Sequence, residues 1–218
     1  MEELKLKVDK KSMLLYIVTD RSWLGEDSFI IQVEETIQNG ATFIQLREKE
    51  MGFDEFVKEA KEVKVLTDKY KIPFVINDNI EVALACGADG VHVGQSDMAV
   101  KDVRSQIGKD KILGVSAQTV EQAILAEKNG ADYLGVGAVF STSTKPDADA
   151  VTFETLKTIC ESVSIPVVAI GGISEKNILE LKGTGISGVA VISAIFSKPD
   201  IVKATRRMHE LSGKTVLL

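Results

Sequence analysis

Eight short β-rich runs recur along the chain, and each is separated from the next by a stretch with helical periodicity. The runs lie at residues 14–20, 42–49, 73–78, 90–95, 112–117, 133–140, 166–173 and 188–195. Strands that alternate with helices form parallel sheets, so the pattern allows a closed (β/α)8 barrel or an open doubly wound sheet. Eight similar units favour closure. We therefore predict an α/β fold with a single (β/α)8 TIM barrel.

Helical stretches and their ends support one continuous domain. Apolar residues return at i, i+3, i+4 and i+7 between the strands, most clearly over 53–70. A glycine that can end a helix in the left-handed conformation follows four of these stretches. These glycines are Gly40, Gly87, Gly130 and Gly185. Because no Pro- or Ser-rich linker interrupts the pattern, we predict one domain over 1–218, with 1–12 as a short N-terminal extension.

Charge and hydropathy disfavour two classes of partner. The 218 residues carry a formal net charge of −6, which disfavours a broad nucleic-acid surface. No apolar run approaches the roughly 20 residues that span a bilayer, and the charged N-terminus lacks a signal-peptide core. We predict a cytoplasmic protein without nucleic-acid or membrane partners. The two cysteines, Cys86 and Cys160, are predicted to be small buried hydrophobic residues.

Polar residues gather where the predicted strands end, which is where a parallel barrel places its active site. Within 43–50, Gln45, Arg47 and Lys49 occupy every second position, so a strand would direct all three to one face. Interior polar groups cost stability unless they are paired, and a purely structural protein has no need to collect them. We therefore predict a shared polar mouth.

Cations and carboxylates occur together among these residues. Arg47, Lys49 and Lys145 supply positive charge, and Asp78 and Asp97 supply two carboxylates on adjacent units. A diphosphate bound with Mg²⁺ needs this mixture, because carboxylates hold the metal and cations neutralise the remaining phosphate charge. Zinc is disfavoured because clusters of cysteine and histidine are absent.

A second anion site is indicated after strands 7 and 8. Gly171 and Gly172 allow a ligand to approach the backbone closely, and Ser193 begins a predicted short helix. The loops that follow strands 7 and 8 are the usual phosphate site of this architecture.

Simpler roles compete with these assignments. Asp78 and Asp97 could cap helices, and Lys145 could be a solvated loop residue. We predict that His92 is packed and hydrogen-bonded rather than a base. Tyr16 could pack near the mouth or away from it.

The ordered motifs resemble those of the thiamine phosphate synthase family. The matching stretches are LYIVTD (15–20), QLREK (45–49), IND (76–78), HVGQSD (92–97), GVSAQT (114–119), GADYLGVGAVFSTSTK (130–145), AIGGI (169–173) and GVAVISAI (188–195). The resemblance implies a (β/α)8 barrel that binds two phosphorylated small molecules, a pyrimidine diphosphate and a thiazole phosphate. It implies that the two are joined with release of pyrophosphate in a Mg²⁺-dependent reaction.

The resemblance also implies roles for individual residues. The pyrimidine diphosphate ligands would be Gln45, Arg47, Lys49, Asn77, Ser116 and Lys145. The Mg²⁺ ligands would be Asp78 and Asp97. The thiazole phosphate site would comprise Thr142, Ser143, Thr144, Gly172, Ile192 and Ser193. Among these, Arg47, Lys49, Ser116 and Lys145 are predicted to be catalytic.

Some positions depart from the family pattern, and other functions remain open. Asn79 stands where an arginine is frequent, Gln118 where a histidine is frequent, and Ala138 and Ser141 replace prolines. A thiazole tautomerase of the same barrel family is one alternative, and a non-catalytic sensor of a phosphorylated ligand is another. Neither alternative needs the carboxylate pair together with the cations. Assembly into a homo-oligomer is left open.

Overall fold

The computed structural model describes residues 8–24, 28–94, 100–141 and 150–216. Eight parallel strands form a closed barrel in the order β1 to β8, with β8 paired to β1. The prediction of a (β/α)8 barrel is therefore confirmed. The strands are β1 Leu15–Val18, β2 Phe43–Leu46, β3 Phe74–Asn77, β4 Gly90–Val93, β5 Ile112–Ala117, β6 Tyr133–Val136, β7 Val167–Ile170 and β8 Gly188–Val191.

Helices surround the barrel on the outside. They are α1 Phe29–Gln38, α2 Phe53–Tyr70, α3 Ile80–Cys86, α4 Val100–Ile107, α5 Val120–Lys128, α6 Phe153–Ser162, α7 Ser193–Phe196 and α8 Ile201–Val216. Helix α2 has the limits that its apolar periodicity predicts. Between β7 and β8 the structure departs from the regular pattern, because a short 3-10 helix at Ile178–Leu181 replaces an α-helix. Another 3-10 turn, Arg21–Trp23, follows β1.

Several strands end earlier than their sequence predicts. The run 133–140 is extended in sequence, but β6 ends at Val136 because the chain then leaves the sheet. Val139 N donates to Ile170 O at 3.0 Å, and Phe140 N donates to Gly171 O at 3.1 Å, so this segment pairs with the last residue of β7 and the first residue of the loop that follows. The run predicted to continue to 195 ends at Val191, and α7 begins at Ser193. β-propensity therefore extends beyond the barrel into the loops at its mouth.

Two apolar layers hold the barrel together. On β2, Ile44 and Leu46 point outward into the larger layer between strands and helices, whereas Phe43 points into the barrel. The interior layer is small and contains two buried tyrosines, Tyr16 and Tyr133, which are at most 1% exposed. Strand residues alternate between faces. A residue two places after an inward-facing one therefore also faces the interior, closer to the mouth.

Helix ends agree with the sequence signals. The four predicted glycines all have positive φ, and Gly87 ends α3 in the left-handed conformation. Cys86 is buried and Cys160 is half-buried against the apolar core, as expected of small hydrophobic residues. In the part of the chain that the structure describes, no helix is both long enough and apolar enough to cross a membrane.

Candidate active site

The segment that follows β2 places the predicted cations outside the strand itself. Gln45 is a strand residue, only 4% exposed, and its amide lies in the barrel interior. The strand ends at Leu46, so the predicted alternation does not extend to Arg47 and Lys49. Arg47 is half-buried and Lys49 is exposed. The prediction of a strand that continues to 49 is therefore wrong, although Gln45 does face inward.

Thr19 fixes the backbone where β2 ends. Its N–H donates to Gln45 O at 3.0 Å, and its hydroxyl accepts from Arg47 N at 3.0 Å. Thr19 is fully buried, so these bonds are shielded from water. The threonine thus continues the β1–β2 hydrogen bonding past the strand and sets the direction in which Arg47 leaves the barrel.

A chain of four hydrogen bonds crosses the barrel interior. Gln45 Nε2 donates to the Tyr16 hydroxyl at 2.6 Å, and the Tyr16 and Tyr133 hydroxyls lie 2.7 Å apart. The Tyr133 hydroxyl lies 2.9 Å from His92 Nδ1, and His92 Nε2 lies 3.0 Å from Ser116 Oγ. The chain therefore joins two predicted ligand residues, Gln45 and Ser116, that are 71 residues apart in the numbered sequence.

Glycines make room for the rings of this chain. A Cβ added to Gly114 would lie 2.1 Å from Tyr133 Cζ and 2.5 Å from His92 Nδ1. A Cβ added to Gly135 would lie 3.2 Å from His92 Cε1. Burial raises the pKa of both tyrosines above the ordinary value for a phenol, so both hydroxyls keep their protons. The prediction that His92 is packed and hydrogen-bonded is confirmed.

The end of β3 holds an amide and a carboxylate side by side. Asn77 Nδ2 donates to Asp78 Oδ2 at 2.6 Å, and Asp78 N donates to His92 O at 2.8 Å. Asp78 is exposed and has φ of 60°, a left-handed conformation that aspartate and asparagine adopt more readily than most residues. Asn79 accepts from Val82 N at 2.9 Å and is the N-cap of α3. The helix cap is therefore Asn79 and not Asp78.

An ionic cluster lies beside the cation-bearing segment. Arg21 Nε donates to Glu48 Oε1 at 2.8 Å, and the same guanidinium contacts Glu59 on α2. The Arg21 guanidinium also lies 4.9 Å from the centre of the Phe29 ring. Burial raises the pKa of Glu48, and the charge of Arg21 opposes that shift. Glu48 is thus ion-paired with Arg21, whereas no ion pair is seen for Arg47 and Lys49 among the described residues.

The loops after β7 and β8 are built from close backbone contacts. A Cβ on Gly171 would lie 2.5 Å from Ala138 Cβ, and one on Gly172 would lie 2.4 Å from Ser141 O. Both glycines have positive φ, so chain packing alone explains them. Ile192 precedes α7, and the half-buried Ser193 is the first residue of that four-residue helix. Gly172, Ile192 and Ser193 lie at the same end of the barrel as Gln45 and Ser116.

Five predicted site residues lie outside the described residues. They are Asp97, Thr142, Ser143, Thr144 and Lys145. Within the described ranges, no group of three or more histidine, cysteine, aspartate or glutamate side chains comes together as a metal cluster. The predicted metal pair therefore stays a prediction.

A depression of about 620 Å³ lies at the opposite end of the barrel, at residues that precede β3, β4 and β5. Three of its charged side chains, those of Asp68, Asp89 and Lys111, already bond to the protein. Asp89 accepts from Phe74 N at 2.9 Å, and Lys64 Nζ lies 3.3 Å from the same carboxylate. Because active sites of parallel barrels lie at the other end, we assign this depression a structural role.

Sequence reasoning missed two contributors to the site. Thr19 carries no motif signal, and Tyr133 stands in a strand where a buried ring is ordinary. Inward alternation on β1 and β6 was the signal available, since Tyr16 and Tyr133 both face the barrel interior. The partner of each tyrosine depends on the barrel register, which no local pattern specifies.

Comparison with known proteins identifies the family. The family described as thiamine monophosphate synthase matches residues 15–195. A protein of Ruminiclostridium cellulolyticum named thiamine-phosphate synthase is 53% identical over 208 residues, which cover 95% of this chain and 98% of that protein. Its namesake in Clostridium tetani is 52% identical over 199 residues, which cover 91% and 94% of the two chains.

A solved structure agrees with these sequence matches. The thiamine phosphate pyrophosphorylase of Pyrococcus furiosus superposes with a TM-score of 0.88 at 41% identity. The match covers 96% of this chain and 99% of that one. Family, relatives and fold coincide over nearly the whole barrel. The chain therefore belongs to the thiamine monophosphate synthase family.

Proposed function

We propose that this transferase joins 4-amino-2-methyl-5-hydroxymethylpyrimidine diphosphate to 4-methyl-5-(2-phosphoethyl)thiazole, giving thiamine phosphate and pyrophosphate. The observation that carries the proposal is the match at 53% identity across 95% of the chain to a thiamine-phosphate synthase. The polar groups at the ends of β2 to β5 support it. A tautomerase and a ligand sensor, the two alternatives, are not favoured by the names of these relatives.

The proposed reaction requires departure of diphosphate from the pyrimidine methylene. The aminopyrimidine is electron-rich and can stabilise a carbocation at that carbon, while the thiazole nitrogen then forms the new C–N bond. Negative charge grows on the leaving diphosphate as the C–O bond breaks. We assign Arg47, Lys49 and Lys145 to stabilise that charge, because preorganised cations act most strongly where charge develops.

No general base is needed in this scheme, because the thiazole nitrogen is already nucleophilic. This agrees with the state of His92, whose two ring nitrogens are both engaged inside the protein. Gln45, Asn77 and Ser116 would orient the pyrimidine diphosphate. Thr142, Ser143, Thr144, Gly172, Ile192 and Ser193 are proposed to hold the thiazole phosphate on the other side of the mouth.

Asp78, the one proposed metal ligand among the described residues, has the chemistry that Mg²⁺ prefers. Asp78 presents an exposed carboxylate at the mouth, and Mg²⁺ prefers hard oxygen ligands while keeping several waters or phosphate oxygens. We propose that Asp78 and Asp97 hold the metal, which when bound would neutralise charge on the diphosphate. Asn77 would orient the Asp78 carboxylate through its 2.6 Å hydrogen bond.

The test is a product assay. The purified protein is incubated with both phosphorylated substrates and Mg²⁺, and thiamine phosphate is detected by mass. Appearance of product that depends on both substrates is expected. Folded protein that gives no product with metal present would contradict the proposal. We further propose a cytoplasmic location, for which detection of the tagged chain in cell fractions is the measurement.

A further inference from the structure

We propose that Tyr16, Tyr133 and His92 are positioning residues that fix which hydrogen-bonding groups Gln45 and Ser116 present to a ligand. The inference rests on the proposed function, in which Gln45 and Ser116 contact the pyrimidine diphosphate. The three residues do not themselves contact substrate. They act as a directional relay, because each member of the chain can donate only the protons that it carries.

The protons on the two phenols determine which member of each hydrogen bond in this chain donates. Each hydroxyl carries one proton and takes part in two of the hydrogen bonds. Gln45 Nε2 donates to Tyr16, so the proton of Tyr16 is used toward Tyr133. Tyr133 then accepts from Tyr16 and uses its own proton toward His92. With the Gln45 amide in this orientation, any other order leaves a buried phenol proton without an acceptor along this chain, which is unfavourable.

The direction of these hydrogen bonds determines the tautomer of His92. Its Nδ1 receives the Tyr133 proton and is therefore unprotonated, so the ring proton of the neutral imidazole sits on Nε2. That Nε2–H donates to Ser116 Oγ at 3.0 Å. Ser116 is an acceptor in this bond, and its own proton goes to an acceptor other than His92.

The two ends of the relay therefore have opposite characters. The amide nitrogen of Gln45 is occupied by Tyr16, so its carbonyl oxygen is the group suited to meet a donor from the ligand. The Ser116 hydroxyl proton, in contrast, is suited to meet an acceptor from the ligand. An aminopyrimidine diphosphate offers both kinds of group, since the exocyclic amine donates whereas ring nitrogens and phosphate oxygens accept. If all four hydrogen bonds ran in the opposite direction, Gln45 would present its amide N–H to the ligand and Ser116 would donate to His92. The Ser116 oxygen and the diphosphate, both acceptors, would then face each other.

Burial keeps the relay intact in the absence of ligand. Tyr16, Tyr133, Gln45 and His92 are all less than 10% exposed, so water does not compete for their protons. Ionisation of either phenol is opposed by burial, which raises the pKa of both. Gly114 and Gly135 leave the rings the space that this geometry needs. The polarity is thus a property of the folded protein before substrate arrives.

The direct test reads the protonation of His92 in ligand-free protein by ¹⁵N–¹H correlation spectroscopy of the imidazoles. The chain has two histidines, and a His209→Gln variant assigns the signals. We expect a proton on Nε2 and none on Nδ1 of His92. In Tyr133→Phe, where Nδ1 loses its donor, we expect this preference to weaken. A proton on Nδ1 in the wild-type protein, or an imidazolium, would overturn the proposal.

The kinetic test uses the same substitution. Tyr133→Phe keeps the ring but removes the relay hydroxyl, and we expect turnover to fall roughly tenfold, about the free energy of one hydrogen bond. Tyr70→Phe is the matched control, because Tyr70 bonds Gln38 and Glu34 on the outer helices and should leave turnover unchanged. Additional loss from Tyr133→Phe should be less than about twofold in a background that carries both Gln45→Ala and Ser116→Ala, since the relay acts through these two side chains.

These outcomes separate the inference from the proposed function. Wild-type protein that makes no thiamine phosphate would contradict the function, while the His92 spectrum would still report the relay. If the wild type is active but Tyr133→Phe lowers turnover equally in the wild-type chain and in the background that lacks both the Gln45 and Ser116 side chains, the tyrosine has a purely structural role and the inference is wrong. If Tyr133→Phe does not fold, the wild-type tautomer alone decides.

Discussion

The strand ends of β2 to β5 and those of β7 and β8 line the same end of the barrel, but different interactions hold them in place. On the first side, side chains bond one another, as Gln45 does through Tyr16 and Asn77 does with Asp78. On the second side, backbone approaches backbone at Gly171 and Gly172. Ile170 and Ile192 pack there against the apolar interior.

The contrast separates two ways of building a binding surface. Side chains that bond one another can be exchanged singly without closing the space between strands, so substitutions on the first side should mainly change turnover. Glycines in backbone contact have no such freedom, so substitutions on the second side should cost stability first. Turnover and unfolding measured on the same variant separate an effect on activity from an effect on folding.

Arg47→Ala and Lys49→Ala should give the largest effect. Each is expected to lower turnover by about 10²–10³, because the charge on the leaving diphosphate grows in the transition state. Unfolding free energy should change little, since Lys49 is exposed and Arg47 is half-buried. Single-turnover rates at saturating substrates are the measurement. Intact turnover with weaker substrate affinity would mean that both cations serve uniform binding instead.

Glu48→Ala is the matched control from the same segment. Glu48 bonds Arg21, which also contacts Glu59. Loss of the Glu48 carboxylate should lower the free energy of unfolding by about 1 kcal/mol and reduce turnover far less than Arg47→Ala or Lys49→Ala does. Denaturant unfolding and the same rate assay compare the variants. Equal losses of turnover at 47, 48 and 49 would contradict the separation between site and scaffold in this segment.

Asp78→Asn should lower the Mg²⁺-dependent rate by at least about tenfold. Loss of a residue that merely hydrogen-bonds a metal ligand already lowers metal affinity or activity by about that much. The fold should persist, because asparagine also adopts the left-handed conformation that φ of 60° requires. Initial rates over a Mg²⁺ titration measure the effect. Asp102→Asn on the outer helix α4 is the control, and an Mg²⁺ dependence of Asp78→Asn that matches it would refute the metal assignment.

Gly172→Ala tests the second side of the mouth. The added Cβ would meet Ser141 O at 2.4 Å, and we expect a stability loss of roughly 2–4 kcal/mol. Gly183→Ala is the control, because Gly183 also has positive φ but has nothing within 4 Å of the added Cβ. It should cost about 1 kcal/mol. Thermal unfolding of both variants separates the close approach from backbone strain, and equal losses would remove the contact argument.

Asn79→Ala should have a small effect, and it tests whether a polar residue at the mouth can serve the fold alone. Loss of the α3 N-cap is expected to cost about 1 kcal/mol of stability, with turnover near the wild-type value. Asn79→Ser retains a capping hydroxyl and should recover most of the stability. A large fall in turnover for Asn79→Ala, with stability retained, would assign Asn79 to the ligand.

The barrel follows from the sequence because its signals are local and repeated. The apolar period of 53–70 defines α2, and the capping box of Thr119 and Gln122 is present with both of its hydrogen bonds. Strand ends were less predictable, because Val139 and Phe140 retain strand-forming character after the chain has left the sheet. Their partners, Ile170 and Gly171, belong to another unit and are invisible to a local pattern.

The site was predictable only in part, because local patterns do not reveal contacts between different βα units. Period-2 spacing correctly directs Gln45 into the barrel, but the strand ends before Arg47, so the face of that cation follows from Thr19 rather than from alternation. The contact between Tyr16 and Tyr133 joins residues 117 apart, and register sets it. Sequence indicates which residue types reach the mouth, whereas register decides which of them touch.

The paired bonds of Thr19 also bear on the conformational entropy of binding. They hold the backbone at Arg47 in the ligand-free protein, so a bound diphosphate need order only the arginine side chain. Fixing a backbone residue costs about 1–2 kcal/mol, and ordering a long side chain costs up to about 2 kcal/mol more. The first of these costs is met during folding. A fully buried threonine would in this way strengthen the binding of the diphosphate by Arg47.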